Sequence, residues 1–455
     1  MNPTKEPYRR RPLAVAVAFV FAAGSSHAAT IAVTDGGDNG DSGTCTLRQA
    51  IVSMESQILQ GSCIDSGDGF GTNDAIDFDA STVPSNSTIT LSMGQLVVSA
   101  LTAPLTIEGG GRTIDANQNS RVLYVHASEV TLNSLTLSGG HLARYSGHAG
   151  GAYVNGGGTL ALASSAVSGN YSGGPGGVLV DGATLIMTES NCSGNSSYFY
   201  AGGIGANESS VTLTRSTVEN NFAVRYGGGG LFAHHGTLSI TDSTITGNSS
   251  ASSSYGGGGV WAYDASTMLT NSTISGNFTH TIGGAIYAVG GTLILVNSTV
   301  SANSSYLYGG GMAVVGLSTL TLANTILAEN SAGMSSPDIY SALTAVDATY
   351  SLLGSDFNVT PYTDAGNHNV ISDSPLLSGL GSYGGPTQTM KPLPGSLAID
   401  KGDSGSAVDP ATGFALAFDQ RGIGFSRTLS GKVDIGAYQH QPTDRIFANR
   451  FEAGP

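Results

Sequence analysis

Short runs in which polar and apolar residues alternate recur along the chain, among them Thr159-Leu160-Ala161-Leu162, Thr237-Leu238-Ser239-Ile240 and Thr292-Leu293-Ile294-Leu295. A period of two marks half-buried strands. The runs themselves repeat. An Asn closes a short motif at Asn170, Asn195, Asn221, Asn248, Asn277, Asn303 and Asn330, in steps of 25, 26, 27, 29, 26 and 27 residues. Gly-Gly pairs end at Gly151, Gly177, Gly203, Gly230, Gly259, Gly284 and Gly311 in the same rhythm. A unit of about 26 residues cannot bury its own apolar face and must stack on the units before and after it. The expected fold is all-β: a right-handed single-stranded parallel β-helix with three short strands and three turns per coil, adjacent coils lying about 4.8 Å apart.

Stacking turns each phase of the repeat into a column. Three residues before each Asn stand Val167, Cys192, Val218, Ile245, Ile274, Val300 and Leu327, an expected inward stack in which Cys192 is a buried free thiol rather than a reactive or metal-binding one. The Asn column is expected to hydrogen-bond amide to amide along the axis, which satisfies groups that are costly to bury alone. A further column, Glu189, Arg215 and Asp242, alternates in charge and is expected to pair.

An open solenoid needs its ends covered. Leu47 to Gln60 is the best helical stretch, with Thr46 as N-cap and Leu47, Ile51, Met54 and Ile58 on one face; it is expected to plug the first coil. The organisation is then a leader over 1–28, an N-terminal cap and first coils over 29–105, repeats over 106–330, irregular coils and a cap over 331–441, and an exposed tail over 442–455.

Composition adds the compartment. Lys5, Arg9, Arg10 and Arg11, the apolar run from Leu13 to Ala23 and the small-residue site Ser26-His27-Ala28 read as an export signal, with no transmembrane segment in the mature chain. Its removal leaves 13 basic and 31 acidic residues, about −18 in formal charge. In an oxidising compartment Cys45 and Cys63 are expected to form a disulfide. An acidic rod disfavours nucleic acid, which needs basic patches. It also disfavours polyanion lyases: residues 130–330 contain only Arg144, Arg215 and Arg225 and no Lys.

Two features carry candidate chemistry. Just after the Gly-Gly pairs come Asp181, Glu208, His234, His235 and Asp264, a carboxylate and histidine patch that is the expected catalytic set if the chain is an enzyme; glycoside hydrolysis needs two carboxylates about 5 to 10 Å apart. In the loops just before the pairs stand Tyr171, Tyr200, Tyr226, Tyr255 and Tyr308, expected to line one edge of the rod as a ligand-binding ladder or to fold back over the strands. Asp35, Asp38 and Asp41, with Asp65, Asp68, Asn73 and Asp74, sit among glycines in oxygen-rich loops able to hold Ca²⁺, although their spacing fits no EF-hand loop. No other cofactor is implied.

Gly283-Gly284-Ala285-Ile286 and Ser275-Gly276-Asn277 resemble the repeats of chlamydial-type polymorphic outer-membrane proteins. Cys45-Thr46-Leu47-Arg48-Gln49-Ala50 resembles the Cys-Ser-Leu-Arg-Glu-Ala motif that opens many secreted bacterial β-helix proteins, departing from it at Thr46 and Gln49. Asp419-Gln420-Arg421-Gly422 and Asp434-Ile435-Gly436-Ala437-Tyr438 resemble the choice-of-anchor Q C-terminal region. The segment Arg445 to Glu452 resembles a short Ile-Phe-x-x-Gly-Phe-Glu tail of exported proteobacterial proteins, with Arg450 in place of Gly. These resemblances imply a secreted or surface-associated protein and no particular catalysis. The expected function is an adhesin-like, non-enzymatic rod that binds extracellular polysaccharide or a surface protein, with a glycoside hydrolase as the alternative.

Overall fold

The computed structural model describes residues 28–39, 43–67, 69–316, 319–342, 344–354 and 367–441. All but the last residue of the expected leader, the expected tail and both Asp41 and Asp68 lie outside them.

The chain is an all-β parallel solenoid. Its strands form three sheets of 22, 10 and 7 strands, and each coil pairs in parallel with the next. In one coil Val178–Asp181, Thr184–Thr188, Asn191–Ser193 and Ser196–Ser197 follow in turn, and they pair with Ile204, Ser210, Thr217 and Phe222 onward in the next. The coil thus has four strand segments, where three were expected. The second and third belong to one sheet bent at a two-residue corner. The first corner residue takes a left-handed conformation, as Ser164, Glu189, Arg215, Asp242, Asn271 and Asn297 do with φ between 46° and 51°. The second is a buried hydroxyl residue. Ser190 Oγ donates to Thr188 O at 2.8 Å and accepts from Ser165 N at 3.0 Å, and Ser216, Ser243, Ser272 and Ser298 repeat the arrangement. This hydroxyl ladder lets the strand turn without leaving its buried N–H groups unpaired.

The apolar stack forms as expected, from Val167 through Cys192 to Leu327, each residue at most 1% exposed. Burial pushes the Cys192 thiol up to about 12, which keeps it protonated and unreactive. The Asn ladder is continuous. Each Nδ2 from Asn170 to Asn303 donates to the next Asn Oδ1 at 2.9 to 3.0 Å, and Asn330 ends the run on Asp338 Oδ1 at 2.9 Å. The Gly-Gly phase slips once. Strand register aligns Ile286 with Val260 and Met312, so fully buried Ala285 takes the place that Gly259 and Gly311 hold in the flanking coils.

At the N-terminus the helix Leu47–Ser56 (α1) is capped by Thr46, which accepts from Gln49 N while Gln49 Oε1 accepts from Thr46 N. Leu47, Ile51 and Met54 are buried, whereas Ile58 is 66% exposed. The helix ends before the expected Gln60 because Gln57 turns left-handed and Gln60 N then bonds back to Ser53 Oγ at 2.9 Å. Cys45 and Cys63 are disulfide-bonded.

The other end departs most from expectation. Coiling continues through Leu352–Leu353 and Val370–Ile371, after which residues 374–441 turn back along the rod and clasp the outer face of the bent sheet. Gln420 Nε2 reaches Ser243 O and Thr244 Oγ1, and Thr273 Oγ1 donates to Gln420 Oε1 at 2.6 Å. Asn271 Nδ2 donates to Phe418 O at 2.8 Å, and Gly436 N donates to Asn324 O at 2.8 Å. Gly436 has φ +98°, and a Cβ there would lie 2.7 Å from Ile326 Cδ1, so this position accepts glycine alone. Fully buried Arg427 donates to the carbonyls of Asp434 and Gly436, while Arg421 pairs with Asp419 at 2.6 Å and lies 3.6 Å from the Tyr438 ring centroid. The two C-terminal motifs are therefore the clasp's framework and its attachment.

Candidate functional site

The first strand of each coil points its second and fourth residues outward, because the first and third fill the core, as Val178 and Val180 do. Register then stacks two rails. The second positions carry Tyr124, Tyr153, Leu179, Gly205, Phe232, Trp261 and Tyr287, an outward aromatic rail broken at Leu179 and Gly205. Ring centroids lie 5.4 Å apart for Tyr124 and Tyr153, 4.4 Å for Phe232 and Trp261, and 6.4 Å for Trp261 and Tyr287. The fourth positions carry His126, Asn155, Asp181, Asn207, His234 and Tyr263, a polar rail beside it. The polar rail is legible in the sequence but the aromatic one is not, since the first three residues of the strands after Gly-Gly are mostly apolar and show no alternation. Aligning the second residue after each glycine pair is the signal that exposes it.

The polar rail is connected. Asn207 Nδ2 donates to Asp181 Oδ1 at 2.8 Å, and Asn207 Oδ1 lies 2.7 Å from His234 Nδ1. The amide thus turns its NH₂ to Asp181 and its oxygen to His234. His234 therefore donates from Nδ1 and, when neutral, keeps Nε2 as acceptor. Desolvation, then the neighbouring His235, lowers the His234 pKa from its ordinary 6.5, against the pull of Asp264 and Glu208, which favours the neutral ring.

A groove of about 470 Å³ lies over this face, with Asp181, Asn207, His234, Tyr200, Tyr226 and Phe232 among its lining. The structure thus unites Asp181 and His234 with Tyr200 and Tyr226. The rest of the candidate patch lies beside them: the His235 ring centroid is 4.0 Å from that of His234, and Asp264 and Glu208 act electrostatically on His234. Glu208, His235 and Asp264 fall one residue later, at left-handed corners with φ of 48° to 49°, and Glu208 and His235 line a different, open depression with Gly182, Thr184 and Thr237. Asp181 is the only carboxylate in the groove lining among the described residues.

The loop tyrosines do not form one free ladder. Tyr200 packs edge-on to Phe232 at 5.1 Å, Tyr255 stacks on Trp261 at 5.0 Å, and Tyr308 stacks on Tyr340 at 5.3 Å. Tyr171 lies against His141 at 4.8 Å, while Tyr226 stays 37% exposed at the groove. Arg144 and Arg225 both donate to the Tyr198 hydroxyl, and the Arg144 guanidinium sits 3.7 Å from that ring's centroid.

The other expected interactions resolve locally. Arg215 pairs with Glu189 at 2.9 Å, but Asp242 turns instead under the clasp beside Asn271, where Thr387 Oγ1 donates to its carbonyl. The glycine-rich acidic loops spend their carboxylates on protein donors. Asp38 pairs with Arg48 at 2.8 Å and accepts from Ser92 N and Met93 N; Asp65 accepts from Thr30 N and Gly67 N, and Asp74 from Ala29 N. No group of three or more His, Cys, Asp or Glu residues suited to a metal ion occurs among the described residues.

No family model and no curated protein matches the chain. Among solved structures it is similar to the crystal structure of pectate lyase Pel9A, at 14% identity and a TM-score of 0.47, over 90% of this chain and 96% of that one.

Proposed function

We propose that the chain is a secreted, surface-associated and non-enzymatic rod that holds an extended neutral glycan along the outward face of its Gly-Gly sheet. The observation that carries this reading is the pair of parallel rails, polar at Asp181, Asn207 and His234 and aromatic at Phe232, Trp261 and Tyr287, which run on from one another and meet in the coil of Phe232 and His234. Aromatic faces suit the apolar faces of sugar rings, and the amide and imidazole beside them suit ring hydroxyls. Neutral sugars are favoured because the groove lining holds one carboxylate, while Arg144 and Arg225 are turned onto Tyr198. The disulfide and the leader-like N-terminus support export, and the resemblance of residues 419–438 to an anchor region supports attachment at a surface.

Calorimetric titration with neutral oligosaccharides tests it. Tyr226→Ala and His234→Ala are each expected to weaken binding about five-fold or more, the worth of one lost ring contact or hydrogen bond, with little change in melting temperature. Turnover that Asp181→Asn abolishes while binding survives would replace this reading with a hydrolytic one. Unchanged affinity in both alanine variants would move the binding face elsewhere.

A further inference from the structure

We propose that the indole of Trp261 is a sugar-ring subsite one coil beyond the groove, and that the Tyr255 side chain fills it in the unliganded protein. This rests on the glycan-binding reading above. Trp261 pairs in register with Phe232 of the groove, so it stands one strand spacing, about 4.8 Å, further along the rod, close to the length of one sugar unit. Its ring is 8% exposed, yet the residue stacked on it, Tyr255, is 43% exposed. Tyr255 lies nearly parallel to the indole, at 5.0 Å and 18°, and touches Tyr226 only edge-on, at 6.0 Å and 72°. Phe232 and Tyr287 flank the indole along the rod, at 4.4 and 6.4 Å, and the half-exposed Tyr255 ring lies on it in the orientation that a pyranose face would take.

A local insertion puts it there. The loop between the strand ending at Ser250 and the strand starting at Val260 has nine residues, 251–259, against six, 280–285, in the following coil. The backbone at Tyr255 is held, by Tyr255 N to Ser252 Oγ at 2.9 Å and Thr281 Oγ1 to Tyr255 O at 2.6 Å, so the exchange needs only rotation of the tyrosine side chain about its own bonds. A second observation points to a ligand. Trp261 Nε1 is buried without a hydrogen-bond partner among the described residues, which native structures rarely tolerate. Displacing Tyr255 with a hydroxyl-bearing ring brings acceptors to the indole edge that the tyrosine does not supply. Beyond it Tyr287 lies 6.4 Å away at 20°, ready to meet the next unit of the same chain.

Trp261 is the only tryptophan in the protein, so its emission reports this subsite and nothing else. The full chain is titrated with a neutral oligosaccharide of at least four sugars, followed in parallel by tryptophan emission and by calorimetry. The expected result is an emission change that saturates with the calorimetric Kd. In Tyr255→Ala the free protein's emission shifts to longer wavelength and affinity rises about three-fold or more, because the competing ring is gone. Heat of binding with no emission change in the wild-type protein would overturn the subsite and leave the groove reading standing. Equal or weaker binding by a folded Tyr255→Ala would also overturn it, as would an emission response to a partner protein but to no glycan. Absence of any glycan binding by calorimetry would overturn both proposals. The wild-type titration decides the matter even if the variant fails to fold.

Discussion

Replacing Asn248 with leucine is expected to lower the unfolding free energy by about 3 to 5 kcal/mol, although shape and volume barely change. Asn248 sits at mid-ladder with no solvent exposure. It accepts from Asn221 N and Asn221 Nδ2 at 3.0 and 2.9 Å, and donates to Val218 O and Asn277 Oδ1 at 2.9 and 3.0 Å. Leucine removes both roles and leaves the Asn221 backbone N–H with no acceptor in a dry interior, at about 1 to 3 kcal/mol for each stranded group. The ladder's partners come only from the adjacent coils, so no other group stands ready to replace these bonds. Urea unfolding followed by Trp261 emission measures the effect, and a loss below about 1 kcal/mol would show that the amide column merely fills space.

The second large effect is pH-dependent. Burial under the clasp, opposed by a hydrogen bond with Asn271 and by Arg215 and Arg427 and reinforced by Asp419, raises the Asp242 carboxyl from 3.8 to about 7. The folded protein thus holds a proton that the unfolded chain gives up near pH 4. The associated stabilisation is complete below about pH 4, declines as the pH rises and is gone above about 7, amounting to roughly 4 kcal/mol at most. Asp434 behaves oppositely: burial raises its pKa, but hydrogen bonds from His440 prevail and lower it, so its contribution is lost only as the pH falls below the ordinary carboxylate range. Between pH 4 and 7 Glu329, which burial raises, and His148 and His234, which burial lowers, also change stability, so the Asp242 share is read as the difference between wild type and Asp242→Asn. Wild-type protein is expected to lose stability, and its 374–441 segment to become more susceptible to proteolysis, between pH 5 and pH 8. Asp242→Asn should flatten that slope. An equal slope in the variant would place the titrating group elsewhere.

What the sequence discloses depends on how local each signal is. The Asn column and the apolar stack through Cys192 are legible because one chemistry recurs at one phase, and stacking fixes its neighbours. The corner serines recur just as regularly, at Ser190, Ser216 and Ser243, but serine is so frequent on exposed strands that their burial leaves no trace in composition. For the same reason the bend that adds a fourth strand segment to the expected three has no mark in the sequence. The clasp's motifs at 419–422 and 434–438 are visible, but their docking is not, since Gln420 and Gly436 bond to residues more than 100 positions away. In the candidate site, Asp181 and His234 were identifiable and do share a face. Glu208, His235 and Asp264 follow one residue later at left-handed corners, and the left-handed turn that directs their side chains has no mark in the sequence, although the His235 ring stays 4.0 Å from that of His234. The loop tyrosines were visible, but the rail beneath them was not, so the partner that Tyr255 covers could not be named.

Hydroxyl-radical footprinting of the protein with and without a saturating neutral oligosaccharide tests the binding face most directly, because it reads side-chain accessibility along the whole rod at once. The account predicts protection at Tyr226, Phe232 and His234, with Tyr145 and Tyr306, which are 79% and 65% exposed, reacting as before. Protection confined to Tyr145, Tyr306 or the 374–441 segment, with the three groove residues unchanged, would contradict it.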